Sequence, residues 1–317
     1  MNEPSPSAAP IMVASRQEEN ADLATRLTVV LVNYNGKQYL QACLNSVLRF
    51  APKGTEVVLA DNASNDGSPD EVARQFPWVR LVRSEINLGF AGGNNLASRQ
   101  AHGRFLLLLN TDTELLEPIE PVLAWLEQHE AYGALTINMI DGLRVPQACT
   151  GKFPNPIRLA LLRRMLISPA SYGAEESYDV DWVQGSFVLI RTELWRKLGG
   201  LDEDFFMYME DVDLCKRVWD TDAKCAYLPS MRYLHWGGYD SSRFPDQVRG
   251  LSIYVGKHMR GVQRAACRTV LLVGCILRVA LNRIRWMIWR RQVDRMKADD
   301  CRRAFQVLTE RVESTLG

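Results

Sequence analysis

Apolar and polar positions along this chain fall into alternating blocks that predict strands and helices in turn. The first is Leu27-Thr28-Val29-Val30-Leu31-Val32, cut off by Asn33-Tyr34-Asn35-Gly36. A short apolar run bounded by turn-forming residues predicts a buried strand followed by a turn. Leu40, Cys43, Leu44, Val47 and Leu48 then recur at helical spacing. Residues 56–60, 79–82 and 104–109 predict three more strands. Polar or glycine-rich clusters follow them: 61–68 after the second, 87–95 after the third and Asn110-Thr111-Asp112 after the fourth. Strands that alternate with helical stretches imply an α/β fold with a mostly parallel central sheet and helices on both faces. Ligands of such sheets bind beyond the carboxyl ends of the strands. The clusters at 33–36, 61–67 and 110–114 fall at those ends.

Further on, 183–190 predicts a strand and 192–198 a helix. Residues 210–219 predict a second helix opening on acidic residues, and Ala226-Tyr227-Leu228 leads to His235-Trp236-Gly237-Gly238. No internal repeat is present. The region 259–293 is helical in composition. Residues 269–281 are nearly all apolar, but Arg278 interrupts them and Arg283 and Arg285 follow. A bilayer span needs roughly 20 apolar residues, so the run reads as too short and too charged to cross. At about 100° per residue, Arg264, Arg268, Arg278, Arg283, Arg285 and Arg290 share roughly half the circumference, with Arg291 outside it. With Trp286 and Trp289 nearby, the pattern predicts an amphipathic helix lying in a membrane interface.

Composition changes this picture in three places. The 317 residues allow one large domain plus an accessory piece. The net charge of +1 offers no global basicity for nucleic acid. Between Lys257 and Val293, however, nine Lys and Arg stand without a single Asp or Glu, leaving 29 basic against 37 acidic residues elsewhere. That asymmetry predicts one segment meeting an anionic surface while the body stays acidic. The seven cysteines are odd in number and none is in C-x-x-C spacing. They predict reduced thiols, a cytosolic setting and no zinc site. Residues 1–26 are rich in Pro, Ser, Ala and Glu and predict a loose tail, with no secretory leader. The expected division is a disordered tail at 1–26, a catalytic domain at 27–258 and a basic amphipathic helical extension at 259–317.

Five motifs occur in order: 28–36, Asp61-Asn62-Ala63-Ser64 with Asp66-Gly67-Ser68, 87–94, Leu109-Asn110-Thr111-Asp112, and Met209-Glu210-Asp211-Val212-Asp213-Leu214. Together they resemble glycosyltransferase family 2, the inverting enzymes of GT-A fold, over roughly 27–245. The glycine-rich stretch and the Glu-Asp-x-Asp-Leu segment look most like rhamnosyltransferase-type members. The resemblance implies that Asp61 accepts hydrogen bonds from the donor's base or ribose, with Val32 and Tyr34 lining the base pocket. It extends the donor site to Asn62, Asn87, Gly93, Asn94 and Asn110. It makes Asp112 a ligand of Mg²⁺ or Mn²⁺, with His235 completing the metal shell. Family members usually carry Asp-x-Asp here, and this chain has Asn110 at the first position, with Glu114 a fallback ligand. Asp211 would be the general base, with Glu210 beside it.

Each residue also has a plainer reading. Asp61 and Asn62 can simply organise a turn. The glycines can serve unusual dihedrals. Asp112 can cap a helix before Pro118. His235 can be structural, and Glu210 and Asp211 can be the negative charges favoured at a helix start. Asp213, two residues on, points elsewhere and reads as structural, and 202–204 as a solvated loop.

The resulting expectation is an inverting, metal-dependent transferase. It takes a nucleotide-sugar donor, first dTDP-rhamnose and then UDP- or GDP-sugars, and a lipid-linked or polysaccharide acceptor. It is expected in the cytoplasm, peripherally on the inner face of the membrane, with a homodimer left open and no nucleic-acid partner. Two alternatives stand beside it. A sugar nucleotidyltransferase resembles a Gly-x-Gly-Thr-Arg loop after the first strand, where this chain has Asn33-Tyr34-Asn35-Gly36. A non-catalytic membrane-surface protein of the same fold is the other. Release of nucleoside diphosphate, of pyrophosphate or of nothing separates the three.

Overall fold

The computed structural model describes residues 26–160, 177–237 and 243–313. The expected tail before residue 26 and Gly238 of the histidine motif lie outside the described residues. In chain order the elements are β1 (Leu27–Asn33), α1 (Lys37–Phe50), β2 (Glu56–Asn62), α2 (Ser68–Gln75), β3 (Arg80–Ser84), α3 (Gly89–Ser98), β4 (Phe105–Asn110) and β5 (Thr113–Leu115). They continue with α4 (Glu120–Gln128), β6 (Tyr132–Ile140), β7 (Pro146–Gln147), β8 (Thr150–Gly151), α5 (Pro156–Ala160), β9 (Tyr178–Val180), β10 (Trp182–Val183), β11 (Phe187–Arg191) and α6 (Thr192–Leu198). The last are α7 (Glu210–Trp219), β12 (Lys224–His235), α8 (Phe244–His258), α9 (Gly261–Trp289) and α10 (Gln292–Glu313).

The strands β3-β2-β1-β4-β11-β6-β12-β5 form one sheet in that order, with β7 on β6 and β9 on β12. The first four run parallel, as the strand–helix alternation requires. Parallel order gives way at β11, which is antiparallel to both β4 and β6, and β5 returns antiparallel to β12. The parallel expectation therefore holds for the amino-terminal half and for the β6–β12 pair, within a mixed sheet. Leu27, Val29, Val30, Leu31 and the whole of 105–109 are fully or almost fully buried. Strands covered on both faces carry such continuous apolar runs.

Four local readings are refined. Leu48 ends the α1 apolar series but is 63% exposed, so the core-facing stripe is Leu40, Cys43, Leu44 and Val47. The strand expected over 183–190 is broken at Gln184-Gly185-Ser186 into β10 and β11. The glycine-rich stretch is largely helical, as α3. Its small residues let the helix press on the sheet: a Cβ on Gly93 would lie 2.6 Å from Val32 Cγ1 of β1. Finally, the carboxy-terminal helix is longer than its apolar core suggests. α9 runs 29 residues and by length and composition can cross a membrane, which corrects the expectation of a run too short to do so.

Candidate functional site

The carboxyl ends of β1 and β2 meet in register, Asn33 opposite Asp61. Asn33 Nδ2 lies 3.0 Å from Asp61 Oδ1, 3.0 Å from Ser64 Oγ and 2.7 Å from Ser68 Oγ. Asp61 Oδ2 accepts from Ser64 N at 3.2 Å, and the residue is 3% exposed. Asn62 is also buried. Its Nδ2 donates to Asn87 Oδ1 and Gly89 O, and its Oδ1 accepts from Leu88 N, so it ties the start of α3 to β2. Asn94 is buried, and its amide donates to Phe90 O one turn back. Around this knot Val32 is half-buried, Gly93 backs onto it, and Tyr34 stands 54% exposed at the strand end.

Asp112 occupies the turn between β4 and β5, not a helix start. Its carbonyl accepts from Trp236 N at 2.8 Å, which fixes this turn to the end of β12. There Asp112 Oδ1 stands 3.3 Å from His235 Nε2. A side chain at Gly237 would overlap Asp112 Oδ2 and crowd the His235 ring. Burial pushes the Asp112 carboxyl up, but the His235 hydrogen bond and charge, with Arg243 behind them, outweigh it and hold it below the usual carboxylate range. The pair is thus an anionic oxygen and an imidazole kept clear by a glycine, a donor set that fits a divalent cation sharing its remaining positions with phosphate oxygens. Glu114, the fallback ligand, instead accepts from Trp236 Nε1 at 2.6 Å. Among the described residues no three His, Cys, Asp or Glu side chains converge into a complete metal shell. Asn110 supplies its backbone: its N–H donates to Ser186 O at 3.1 Å and its O accepts from Thr113 Oγ1 at 2.6 Å.

The acidic pair stands at the start of α7. Tyr208 and Met209 precede it at φ +70° and +74°, a conformation that side chains rarely adopt. The strained turn is clamped from two sides. A Cβ on Gly250 of α8 would overlap Tyr208 O, and one on Gly89 of α3 would overlap Phe206 O, to which Phe90 N donates at 2.7 Å. Asp211 Oδ2 accepts from Gly185 N at 2.9 Å and Oδ1 from Val212 N at 2.8 Å. Glu210 is buried, and its Oε2 has no hydrogen-bond partner among the described residues. Burial raises both carboxyls, and for Glu210 the neighbouring Asp211 charge raises it further. Asp211 is the less buried of the two. Asp213 faces the other way and is fully buried, its carboxylate held by Arg217, Lys257 and His258.

One chain of contacts joins these parts. Asp211 is bonded to Gly185, and the next residue, Ser186, is bonded to Asn110, two residues before Asp112. The β11–β4 pairing, Phe187 opposite Leu109, sets that contact. The break at 184–186 is therefore what brings the acidic helix to the end of β4, and neither Gly185 nor Ser186 stands out in the sequence. Its only signal there is polar Gln-Gly-Ser inside an apolar run. Arg243 is the other residue that sequence reasoning passes over. The 202–204 loop is more than a solvated one, since Asp202 takes an ion pair from Lys257 at 2.5 Å.

Comparisons with known proteins bear on the class of protein. Residues 28–150 match the family model of glycosyl transferase family 2. The chain is 29% identical over 245 residues to the N-acetylglucosaminyl-diphospho-decaprenol L-rhamnosyltransferase of Mycobacterium tuberculosis, covering 69% of this chain and 78% of that one. It is 22% identical to the rhamnosyltransferase WbbL of Escherichia coli over 68% of this chain and 85% of that one. In three dimensions it resembles the mannosyltransferase PcManGT of Pyrobaculum calidifontis, solved with GDP-Man and Mn²⁺, with TM-score 0.55, 16% identity and coverage of 90% and 87%. It also resembles GalNAc-T7, solved with UDP, GalNAc and Mn²⁺, with TM-score 0.58 and 20% identity; the match takes in 75% of this chain and about half, 52%, of that structure. The fold is that of the GT-A glycosyltransferases, and the protein is a glycosyltransferase. Within that class residues 28–150 are similar to glycosyl transferase family 2, and the chain is similar to rhamnosyltransferases over about two thirds of its length.

Proposed function

We propose that the enzyme transfers a sugar, with rhamnose from dTDP-rhamnose as first choice, from a nucleotide-sugar donor to a lipid-linked or polysaccharide acceptor with inversion at the anomeric carbon. The observation that carries the reading is the bonded path from Asp211 through Gly185 and Ser186 to the β4 end that bears Asp112. It sets a raised carboxylate beside an acidic turn suited to diphosphate and cation. In this reading Val32, Tyr34 and Asp61 face the nucleoside, Asn62, Asn87, Gly93 and Asn94 shape the pocket behind it, and Asn110 lines its floor through the backbone. Asp112 and His235 hold Mg²⁺ or Mn²⁺, which when bound neutralises the donor diphosphate as it leaves. Asp211 takes the acceptor hydroxyl proton as the oxygen attacks, and Glu210, buried beside it, helps to position the acceptor. No general acid is needed, because the leaving diphosphate departs as an anion.

The rhamnosyltransferase relatives favour the donor choice, and the name of the mycobacterial relative, with its decaprenyl diphosphate, favours a lipid-linked acceptor. We assign 27–258 to the catalytic domain and the basic 259–317 to an extension that keeps the enzyme at the cytoplasmic face of an anionic membrane. The test is incubation with dTDP-rhamnose, Mn²⁺ and a short polyprenyl-diphosphate-linked sugar. Release of dTDP and a first-formed product of opposite anomeric configuration by NMR are expected. Release of pyrophosphate, or a retained configuration, overturns the reading.

A further inference from the structure

α9 has two unlike faces. On one, Cys267 and Cys275 are buried, and Leu271 and Leu272 pack with Phe244, Val248, Ala304 and Leu308 of α8 and α10. Arg264 is spent on this side too, donating to Met259 O and Gly256 O, and Arg278 lies over the Phe244 ring at 4.8 Å. On the other face Val273, Ile276, Leu277, Leu281, Ile284 and Ile288 are 47–65% exposed. At about 100° per residue these six fall within an arc of roughly 140°, with Arg283 just beyond one edge and Arg285 beyond the other. Leu271 and Leu272 thus belong to the body, and among the described residues nothing covers this second stripe. Large exposed apolar patches mark interaction surfaces.

We propose that α9 lies in the plane of an anionic lipid surface, with Val273, Ile276, Leu277, Leu281, Ile284 and Ile288 immersed and Arg283 and Arg285 at headgroup level on either side. This deepens the membrane part of the reading above and rests on it. The apolar window of α9 has a mean hydropathy of 1.6 and is 11% buried, enough to enter hydrocarbon. Crossing is excluded by the opposite face, where α8 and the charged α10 are packed along the helix. Moving them into lipid would strand Asp294, Asp299, Asp300 and Arg302 in hydrocarbon. A second copy of the chain is the poorer occupant. α9 carries no Asp or Glu, so a two-fold pairing of stripes sets arginine-edged faces against each other. Anionic headgroups supply the missing counter-charge, and the apolar stripe supplies the insertion.

The test is co-sedimentation of the full chain with phosphatidylglycerol vesicles, with phosphatidylcholine vesicles as the comparison. Expected are preference for the anionic vesicles, at least tenfold weaker binding for Ile276→Glu with Ile284→Glu, and a flatter salt dependence for Arg283→Gln with Arg285→Gln. Unchanged binding by the isoleucine pair overturns the proposal. So does a wild-type dimer in sedimentation velocity that the same pair dissociates. A thermal shift with dTDP and Mn²⁺ on each variant reports the nucleotide site separately. Wild type that binds vesicles but shows no shift supports the lipid face and tells against the site roles.

Discussion

Asp213 Oδ1 accepts a hydrogen bond from His258 Nε2 at 2.7 Å, across 45 residues of sequence and between α7 and α8. Lys257 Nζ reaches the same oxygen at 2.8 Å, and Arg217 Nε holds Oδ2 at 2.7 Å. The helix that begins with Glu210 and Asp211 is therefore pinned from behind to α8, the helix that leads into α9.

Removing that pin leaves cations facing an empty buried position. Asp213→Ala is expected to cost about 3–5 kcal/mol, the range for breaking a buried ion pair from one side. Burial raises this carboxyl, but His258, Lys257 and Arg217 outweigh it and hold it at about 2, against roughly 3.9 in an unfolded chain. A depressed folded value means stability fully present above pH ~3.9 and lost as pH falls toward 2. Urea melts of wild type and Asp213→Ala at several pH values should converge toward pH 2. A gap independent of pH counts against the ion pair as its source.

The metal pair is expected to be unequal. Asp112→Ala should abolish Mn²⁺-dependent donor binding and turnover. His235→Ala should weaken both less, because a neutral nitrogen contributes less to a hard cation than a carboxylate. Titration of the donor with and without Mn²⁺ reads both variants, and full turnover in excess chelator overturns the assignment.

The two acids at the α7 start are expected to separate by pH. Asp211→Asn should bind donor nearly as wild type and lose roughly 10²–10⁴ in turnover. Because burial raises the Asp211 carboxyl, the acid limb of kcat should lie above the ordinary aspartate value of about 3.9, with activity rising as pH rises through it. Glu210→Gln leaves the proton acceptor in place, so it should keep an acid limb and lower turnover less than Asp211→Asn does. Near-normal turnover in Asp211→Asn sinks the base role.

Gly93 is expected to tolerate no side chain. A Cβ there meets Val32 Cγ1 at 2.6 Å and Cγ2 at 3.1 Å, and both lie between backbone elements that cannot part easily. Gly93→Ala should destabilise by about 1–3 kcal/mol, as overpacking does, and raise the donor KM through Val32. A wild-type melting temperature with unchanged KM would show that α3 shifts freely.

The sequence alone determined the parallel strands β1, β2 and β4 and the turns at their carboxyl ends, and it singled out Asp61, Asp112, Glu210 and Asp211 as candidates. Period and turn chemistry are local properties, and a motif keeps its order without reference to contacts. It also carried the charge asymmetry of 257–293. Only the tertiary structure decided which residues meet. Asp211 reaches the end of β4 because β11 starts at Phe187, directly after Ser186, and runs antiparallel to β4, a pairing between segments some 75 residues apart that no local pattern encodes. The glycines of 89–93 read as a loop until the packing against Val32 shows why a helix needs them. Leu271 and Ile276 are equally apolar in sequence. Which of them faces protein and which faces outward was set by where α8 and α10 dock, because burial is a property of the neighbours and not of the residue.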